Sequence, residues 1–449
     1  MQFQLTNDFI EKVTQLIAKK DGNALRNLLH DLHFADIAEL LEELNSDEAT
    51  YLVNSLESEI TSEALLELDE DDREKILSRL SPKEIAREVE EMDTDDAADL
   101  VSELDDHIQK KVIDKIIDEE HASDIVELLA YGKDTAGALM AKELVQVKET
   151  WTVAGCVREM RRQAENVTRV HSIYVTDKDG KLKGRLSLKD LLTASAKTHI
   201  SEVYIPKVDY VTVDTEDEEV ARIMHKYDLE AIPVVDENDV LVGRITIDDI
   251  VDFIKDEAEK DYQMAAGISK DVEADDSILE LTKARLPWLI LGLFGGLGSV
   301  YILQGFEEAL SYYPILFFFT PLIAAMAGNV GVQSSAIIVQ GLANDVVKGS
   351  LFHRLLKEVG LALINGTILG LLVILFGVIV GQEFIVSITI AISLLIVIIM
   401  AALIGTFVPI ILDRKGIDPA IATGPFITTS NDIFGIFLFF YIAKLILGF

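Results

Sequence analysis

The sequence lacks the residue patterns on which many enzymes and thiolate metal sites depend. It has a single cysteine, Cys156, so no disulfide can form within the chain and no cysteine pair can hold zinc. Its eight histidines are scattered without an H-E-x-x-H motif, and no G-x-x-x-x-G-K-[ST] phosphate loop is present. These absences argue against an enzyme and against transport driven by ATP hydrolysis. Cys156 is interpreted as a small buried apolar residue.

Basic residues are also scarce. The chain has 40 lysines and arginines against 76 acidic residues, a net charge of −36. Nearly all of this charge precedes Leu279, in a part that holds 67 acidic and 32 basic residues. Such a field repels nucleic acid and concentrates cations, although an acidic surface also serves solubility alone. We therefore expect cations, and no nucleic acid, as partners.

The part after Leu279 is apolar enough to lie in a lipid bilayer. Five stretches are long enough to cross about 30 Å of hydrocarbon. Pro314, Pro321, Gly328 and Gly331 make the second stretch a candidate for a broken helix, and Pro409 is expected to bend the fourth. The stretches are residues 286–303, 313–342, 359–380, 384–412 and 419–449.

The loops between these stretches differ in charge. Basic residues precede the first stretch and lie between the second and third and between the fourth and fifth: Lys283, Arg285, Lys348, Arg354, Lys357, Arg414 and Lys415. The alternate loops hold Glu307, Glu308 and Glu383 and no basic residue. We expect the protein to lie in the cell (inner) membrane. By the positive-inside rule, the N-terminal part then faces the cytoplasm and the C-terminus faces outward.

Residues 1–133 predict an acidic helical domain. Asp36-Ile-Ala-Glu-Leu-Leu-Glu-Glu-Leu44 recurs sixty positions later as Asp96-Ala-Ala-Asp-Leu-Val-Ser-Glu-Leu104, and no strand pattern intervenes. A repeat of this kind is typical of an α-helical solenoid. Ser81-Pro82-Lys83-Glu84 predicts a helix start with a capping box.

Residues 134–254 predict a duplicated α/β module with an offset of 59. The segment from Val175 to Leu191 is matched by the segment from Val234 to Ile250, and each copy predicts a hairpin followed by a helix. The pattern strand–turn–strand–(Ser/Thr)-x-x-Asp resembles a tandem pair of cystathionine-β-synthase (CBS) domains. The resemblance implies dimerisation and an adenine nucleotide, such as ATP, as a regulatory ligand. Its contacts would be Ser187, Asp190, Thr246 and Asp249, although a helix cap explains the same residues.

The segment that follows is rich in acids. Seven carboxylates lie between residues 248 and 261, and several share one helical face: Asp248, Asp249, Asp252, Asp256, Glu257, Glu259 and Asp261. Clustered like charges weaken a helix unless a cation binds them. A solvated helical face would explain the same run, but the run leads directly into the membrane domain at 283–449. Residues 255–282 are therefore predicted to form an acidic connecting helix with a metal-sensing role.

The complete order of domains resembles the MgtE family of magnesium channels, and the match covers essentially the whole chain. Its most specific motifs are Gly328-Asn329-x-Gly331-x-Gln333, Asp418-Pro419-Ala420 and Asn431-Asp432. The resemblance implies a multidomain homodimer in a lipid bilayer, built from a helical solenoid, a CBS pair, a connecting helix and a bundle of five transmembrane helices. It also implies transport of Mg²⁺ down its electrochemical gradient.

Asp432 is the candidate pore residue, since an acid deep in an apolar span is costly and points to function. One carboxylate per chain suits a hydrated Mg²⁺ better than a calcium cage of six to eight oxygens. Polar residues around it were assigned to the pore lining: Asn329, Gln333, Thr428, Ser430 and Asn431.

The resemblance further implies that cytosolic Mg²⁺ closes the pore by bridging carboxylates. Glu63, Asp95 and Asp99 of the helical domain would meet Asp228, Asp249 and Glu257, and Asp261 would meet Asp418. Lys260, Val332 and Gly424 depart from the family pattern, the first at an acidic position and the others at amides near the pore.

Two alternatives remain open at this stage. One is a cation transporter or exchanger of broader specificity that carries Co²⁺, Mn²⁺ or Ni²⁺. The other is a membrane-anchored sensor whose CBS pair reports nucleotide levels. Asp432 and its polar neighbours favour a transporter, because an anchor needs only one apolar span.

Overall fold

The computed structural model describes residues 3–163, 170, 172–270, 272, 274, 276–343, 346–347, 350–422 and 424–449. The chain divides into two compact units, Met1–Ile254 and Lys255–Phe449. The predicted order of a helical domain, two α/β repeats and a membrane bundle is confirmed. Lys348, used above for orientation, lies outside the described residues.

The first unit begins with ten short helices. Their polar caps come from the acidic turns of the sequence, and the capping box predicted at Ser81 is present, with the Ser81 N–H donating to Glu84 Oε2 at 2.7 Å. The helices are α1 Asn7–Ala18, α2 Gly22–Leu29, α3 Phe34–Glu42, α4 Ser46–Val53, α5 Ser58–Leu66, α6 Glu70–Leu77, α7 Pro82–Val89, α8 Thr94–Ser102, α9 Asp106–Ile113 and α10 Glu119–Leu128.

The helices stack with a period of two, as a solenoid requires. Helix α3 packs on α5, α5 on α7, and α7 on α9. The sixty-residue repeat is visible in the core, because α3 buries Ile37 and Leu40 and α8 buries Ala97 and Leu100 at the equivalent positions. The repeated sequence therefore repeats the same buried helical face.

Two small sheets follow, one for each repeat. In the first, β1 Val145–Lys148 pairs parallel with β2 Ile173–Thr176, which pairs antiparallel with β3 Leu182–Leu186, and β4 Ile205–Pro206 completes the sheet. In the second, β5 Val211–Thr212 pairs parallel with β6 Ala231–Val235, which pairs antiparallel with β7 Leu241–Thr246. The helices of this module are α11 Val153–Gln163, α12 Leu188–Thr193, α13 Asp217–Tyr227 and the first turns of α14 Ile247–Ala266, with a 3₁₀ turn at Ile200–Glu202.

The two repeats match in detail. Each hairpin has a register shift at the duplicated position, between Val175 and Thr176 and between Val234 and Val235. The hairpin turns also bond to each other, since the Leu182 N–H donates to the Asp239 carbonyl at 3.0 Å and the Leu241 N–H to the Gly180 carbonyl at 3.1 Å. The duplication read from the sequence is therefore a structural one.

The two repeats contribute to different hydrophobic cores. The first repeat has a separate core, which includes Cys156, buried as expected. Burial raises the pKa of the Cys156 thiol to about 11, so the residue is inert at neutral pH. Residues of the second repeat, such as Ile232 and Val234, belong to the core of the helical domain.

The connecting segment differs from the prediction of one helix over 255–282. Helix α14 starts at Ile247, inside the second repeat, and ends at Ala266. Gly267 then takes a left-handed conformation with φ of 83°, and the next helix begins only after the capping box of Ser277. The glycine and the second cap split the predicted helix in two.

The second unit contains five helices that are long and apolar enough to cross a membrane, counted over the described residues. They are α15 Ile278–Gln304, α18 Thr320–Ala343, α19 Leu351–Val380, α20 Phe384–Asp413 and α21 Gly424–Leu447. The short helices α16 Glu307–Tyr312 and α17 Ile315–Phe318 precede α18, and a 3₁₀ turn at Pro419–Ala422 precedes α21.

Helix lengths show two differences from the prediction. The second stretch is broken at Phe319, between the short helix α17 that follows Pro314 and the long helix α18, whereas Gly328 and Gly331 lie inside the regular helix α18. Helix α19 begins eight residues earlier than the apolar stretch indicated. Glu358 therefore lies in this helix, with Ser334 of α18 donating to its carboxylate at 3.4 Å.

Candidate metal sites

A cluster of carboxylates lies in the first unit, where α8 meets the second repeat. One oxygen each from Asp93, Asp95 and Glu143 lie within 4.8 Å of one another. The isolated bridge between Ala141 and Arg244 brings Glu143 to this point, because Arg244 Nε donates to the Glu143 carbonyl. Three carboxylates whose oxygens lie this close together form a candidate Mg²⁺ site.

The protein itself supplies hydrogen bonds and one ion pair to the carboxylates of this cluster. Thr94 donates to the Glu143 carboxylate through its N–H at 3.2 Å and its hydroxyl at 2.8 Å. Arg244 forms an ion pair with Asp93 at 3.3 Å and is itself almost fully buried. Asp249 accepts bonds from the Thr246 N–H at 3.0 Å and the Thr246 hydroxyl at 2.6 Å.

The pKa shifts follow from this crowding. Burial first, and then the charges of Asp96 and Asp249, raise the pKa of Asp95 well above its ordinary value. Partial burial together with Asp249 and Asp93 raises the pKa of Asp96 to about 8. Burial also raises the pKa of Glu143, with Asp93 adding to the shift. The folded protein therefore holds these groups at a cost that a bound cation would relieve.

Four of the eight predicted sensor residues, Glu63, Asp95, Asp99 and Asp249, lie at or near this cluster. The charge of Asp249 acts on Asp95 and Asp99, and the charge of Glu63 acts on Asp96. Asp93, Asp96 and Glu143 were missed by the sequence analysis. Asp93 directly precedes a helix, so its sequence position indicates only an N-cap. Glu143 reaches the cluster only through the pairing of Ala141 with Arg244.

Two predicted sensor residues lie elsewhere. Asp228 is exposed at the end of α13, in a left-handed conformation with φ of 50°. Glu257 belongs to the second unit and forms an ion pair with Lys260 at 2.9 Å. Lys260, the departure from the family pattern, thus neutralises a neighbouring acid on its own helix.

A second acidic pair lies inside the second unit. Burial and then the charge of Asp418 raise the pKa of Asp261. Near this pair, Gly267 and Gly424 leave room for Pro425 and for the Ala265 carbonyl, respectively. The end of α14 therefore packs on the start of α21, which brings the predicted partners Asp261 and Asp418 close to each other.

Asp432 lies on α21 about 12 Å from the first residue of the helix. It is half-buried and faces α18, since its Oδ1 lies 3.8 Å from the point that a Cβ on Gly328 would occupy. Thr428 and Ser430 are half-buried on the same helix, and Asn329 and Gln333 are exposed on α18. Asn431, also predicted for the pore lining, has no exposed surface and packs against Gly331.

The candidate nucleotide residues form two similar hydroxyl–carboxylate pairs at the starts of α12 and α14. The Ser187 hydroxyl donates to Asp190 at 2.6 Å, and the Thr246 hydroxyl donates to Asp249 at the same distance. Each hydroxyl is thus bonded to the acid three residues later. A ribose would have to compete with these bonds, and at Asp249 also with the carboxylate cluster.

Comparison with known proteins supports the same division of the chain. Residues 32–134 match the MgtE intracellular N domain, residues 136–197 and 200–256 match the CBS domain, and residues 320–442 match the MgtE divalent cation transporter model. The magnesium transporter MgtE of Thermus thermophilus is 34% identical over 438 residues, which cover 96% of this chain and 97% of the relative. The magnesium transporter MgtE of Enterococcus faecalis is 37% identical over 327 residues, 73% of this chain and 72% of the relative.

Two solved structures resemble the first part of the chain. The cytosolic domain of the Mg²⁺ channel MgtE in complex with ATP has a TM-score of 0.51 and 35% identity, and the match covers 54% of this chain and 99% of that one. The soluble part of a magnesium transporter has a TM-score of 0.51 and 31% identity, over 56% of this chain and 98% of that one.

Proposed function

Because the chain belongs to the MgtE family of multi-pass membrane transporters, we propose that it is a Mg²⁺ channel that imports magnesium down its electrochemical gradient and is closed by cytosolic Mg²⁺. The observation that carries the proposal is Asp432, a half-buried acid in a polar segment of an otherwise apolar helix. An inside-negative potential contributes about 4.6 kcal/mol per 100 mV to the entry of a divalent ion, twice the value for one charge. No other energy source is then required.

The ligands around Asp432 favour Mg²⁺ as the ion. The segment offers one carboxylate with the hydroxyls of Thr428 and Ser430, which is too few oxygens to replace the shell of Ca²⁺. Magnesium keeps several waters and is held through them by one or two carboxylates. Two copies of Asp432, one from each chain of a dimer, would supply that number.

Two surfaces support a homodimer. On α18, Ala325, Asn329 and Gln333 follow one another at intervals of four and are exposed, although the helix lies in an apolar unit. Polar side chains facing lipid are costly, and a second copy would turn this face into a pore wall. In the first unit, Leu192 and Val251 occupy duplicated positions and are 85% and 55% exposed, as an isologous interface requires.

The carboxylate cluster of Asp93, Asp95, Asp96, Glu143 and Asp249 is the proposed sensor. Without an ion, like charges repel one another within a few ångströms, which favours separation of α8 from the second repeat. Binding of Mg²⁺ would offset the repulsion and favour the compact arrangement. The pair Asp261 and Asp418 is proposed to act in the same way where α14 packs on α21.

Adenine nucleotide is proposed as a second regulatory ligand of the CBS pair. The support is the solved relative in complex with ATP, together with the duplicated (Ser/Thr)-x-x-Asp pairs Ser187–Asp190 and Thr246–Asp249. The orientation that fits the charge of the loops places the first unit in the cytoplasm and the C-terminus outside.

The test is Mg²⁺ flux in proteoliposomes that contain Asp432→Asn, which keeps the size of the side chain and removes its charge. We expect flux to fall to the level of empty vesicles. Glu307→Gln is the matched control, since Glu307 is exposed in the first turn of α16, and its flux should equal that of the wild type. Undiminished flux through Asp432→Asn would remove the pore assignment.

The same assay distinguishes a transporter of broader divalent specificity from a channel that selects Mg²⁺. Uptake of Co²⁺, Mn²⁺ and Ni²⁺ is measured in competition with Mg²⁺ at equal concentration. A channel that selects Mg²⁺ keeps its Mg²⁺ flux under this competition, whereas a transporter of broad specificity divides its flux among the ions.

A further inference from the structure

The polar segment of α21 is enclosed by glycines of two neighbouring helices. A Cβ on Gly295 of α15 would collide with the Thr429 side chain, and one on Gly331 of α18 would collide with the Asn431 amide. Gly328 lies one turn before Gly331 and faces Thr428 and Asp432, whose nearest atoms are 3.3 and 3.8 Å from its Cβ position. Thr428, Thr429, Asn431 and Asp432 therefore lie where a neighbouring helix has a glycine.

Asn431 is the most deeply enclosed residue of this segment. It is 0% exposed, and neither Oδ1 nor Nδ2 has a hydrogen-bond partner among the described residues. Burying an amide without a partner is costly, and an apolar side chain of the same size avoids that cost. Packing alone therefore does not explain an asparagine at this position.

Gly331 cannot move away from Asn431, because a third helix lies against its carbonyl. A Cβ on Gly405 of α20 would collide with the Gly331 carbonyl oxygen and would lie 3.1 Å from the Ser334 Cβ. Helices α18, α20 and α21 thus meet in close contact at Gly405, Gly331 and Asn431.

This contact fixes the rotation of α21. Asn431 and Asp432 are consecutive, so their side chains point about 100° apart around the helix axis. When the Asn431 amide lies against Gly331, the Asp432 carboxylate lies beside Gly328, one turn earlier on the same helix α18. A rotation of α21 large enough to redirect Asp432 would drive Asn431 into Gly331 or leave a cavity there.

We propose that Asn431 is a positioning residue for the pore carboxylate: its contact with Gly331 sets the direction of Asp432 and thereby the preference of the channel for Mg²⁺. Asn431 does not touch the ion. The proposal rests on the pore function of Asp432 given above. It links the buried amide to selectivity because hydrated Mg²⁺ keeps its waters in a nearly ideal octahedron and so needs the carboxylate in one direction, whereas larger cations accept displaced ligands.

The experiment measures single-channel currents of the full-length protein in bilayers and compares the Mg²⁺/K⁺ and Mg²⁺/Ca²⁺ permeability ratios. Asn431→Ala removes the amide without adding bulk, and Gly331→Ala displaces it. We expect each variant to lower both ratios about tenfold while current is retained, since outer residues that orient a metal ligand have effects of this order. Gly296→Ala and Gly360→Ala are matched controls, because a Cβ at either position would meet nothing within 4 Å.

The double variant Gly331→Ala/Asn431→Ala tests whether the two residues act as one unit. Its permeability ratios should be no lower than those of the poorer single variant, because the collision disappears with the amide. Ile427, 2.7 Å from the Cβ position at Gly331, limits how far the double variant can recover. Additive losses in the double variant would contradict a shared mechanism.

The outcomes separate this proposal from the pore assignment. Loss of Mg²⁺ flux in Asp432→Asn together with wild-type ratios in Asn431→Ala overturns the positioning role alone. Retained flux in Asp432→Asn overturns both. If Gly331→Ala does not assemble, Asn431→Ala decides by itself; if Asn431→Ala does not assemble, Asn431→Ser takes its place, with the same reduced ratios expected and wild-type ratios counting against the proposal.

Discussion

Replacing Asp96 by asparagine is predicted to stabilise the first unit when Mg²⁺ is absent. Asp96 is half-buried in the first turn of α8, and burial together with Asp249 and Asp93 raises its pKa to about 8. Between its ordinary pKa of 3.8 and about 8, the folded chain retains a proton that the unfolded chain has released. Stability therefore falls as the pH rises through this interval.

The expected magnitude follows from the shift. One pKa unit corresponds to 1.36 kcal/mol, so three units up to pH 7 give an upper bound of about 4 kcal/mol. Water and small movements reduce this to about 1–3 kcal/mol, because effective dielectric constants at such sites are higher than in dry protein. A negative charge in the first turn of a helix contributes about 0.3–1 kcal/mol in the opposite direction. Repulsion exceeds this contribution, and Asp96→Asn should gain about 1–2 kcal/mol at pH 7.

The assay is thermal unfolding of residues 1–254, a part for which the soluble domains of relatives have been solved as separate chains. A gain of 1–2 kcal/mol corresponds to a rise in Tm of about 2–8 °C for a unit of this size. At pH 3 the difference should vanish, because the wild-type carboxyl is protonated in the folded state and, below its ordinary pKa of 3.8, mostly protonated in the unfolded state. Asp179→Asn, at an exposed hairpin turn, is the control and should leave Tm unchanged at both pH values.

Magnesium provides the refuting measurement. If the cluster binds Mg²⁺, saturating ion stabilises the wild type by RT ln(1 + [Mg²⁺]/Kd) and closes the gap between wild type and Asp96→Asn. A variant that is less stable than the wild type at pH 7 without Mg²⁺ would refute the repulsion argument. A gap that stays constant as Mg²⁺ is added would refute the assignment of the cluster as a metal site.

Further predictions concern the sensor and the fold. Millimolar Mg²⁺ should slow proteolysis of the first unit several-fold by favouring its compact arrangement, and cleavage rates that ignore Mg²⁺ would remove the sensor. The double variant Asp95→Ala/Asp249→Ala should keep the channel open at internal Mg²⁺ concentrations that close the wild type, as read from open probability in excised patches. Gly184→Ala should destabilise the first repeat by about 1–3 kcal/mol, because its Cβ would collide with the Ile205 carbonyl. Gly155→Ala is its control in urea unfolding, since the nearest atom to that Cβ, Thr152 Oγ1, lies at 3.5 Å.

The periodic features of this protein were predictable from its sequence. The repeats at offsets of 60 and 59 and the five apolar stretches each follow from local patterns, and the corresponding buried faces appear in the structure. Helix limits were less predictable where charged residues continue a helix. Arg354, Lys357 and Glu358 lie in α19, although hydropathy alone marks them as a loop.

The site residues that were missed depend on tertiary pairing. Glu143 joins the cluster because Ala141 pairs with Arg244 across a hundred residues, and no local pattern encodes that bridge. Asn431 was assigned to the pore lining because it adjoins Asp432 in sequence. Its actual direction depends on Gly331 and Gly405, which lie on two other helices.

The acidic residues of the two units thus differ in how their surroundings determine their proposed roles. In the first unit, Asp93 pairs with the buried Arg244 while the charges of Asp96 and Asp249 act on the buried Asp95, so the cluster carries negative charge that an ion can compensate. In the second unit, Asp432 needs no neighbouring acid on its own helix, because the packing of α21 on α18 sets its direction. Sensing of Mg²⁺ therefore depends on the charge balance of the cluster, and selection of Mg²⁺ depends on the direction of the Asp432 side chain. Mutations that neutralise the cluster should change gating and spare selectivity, whereas mutations at the Gly331–Asn431 contact should do the reverse.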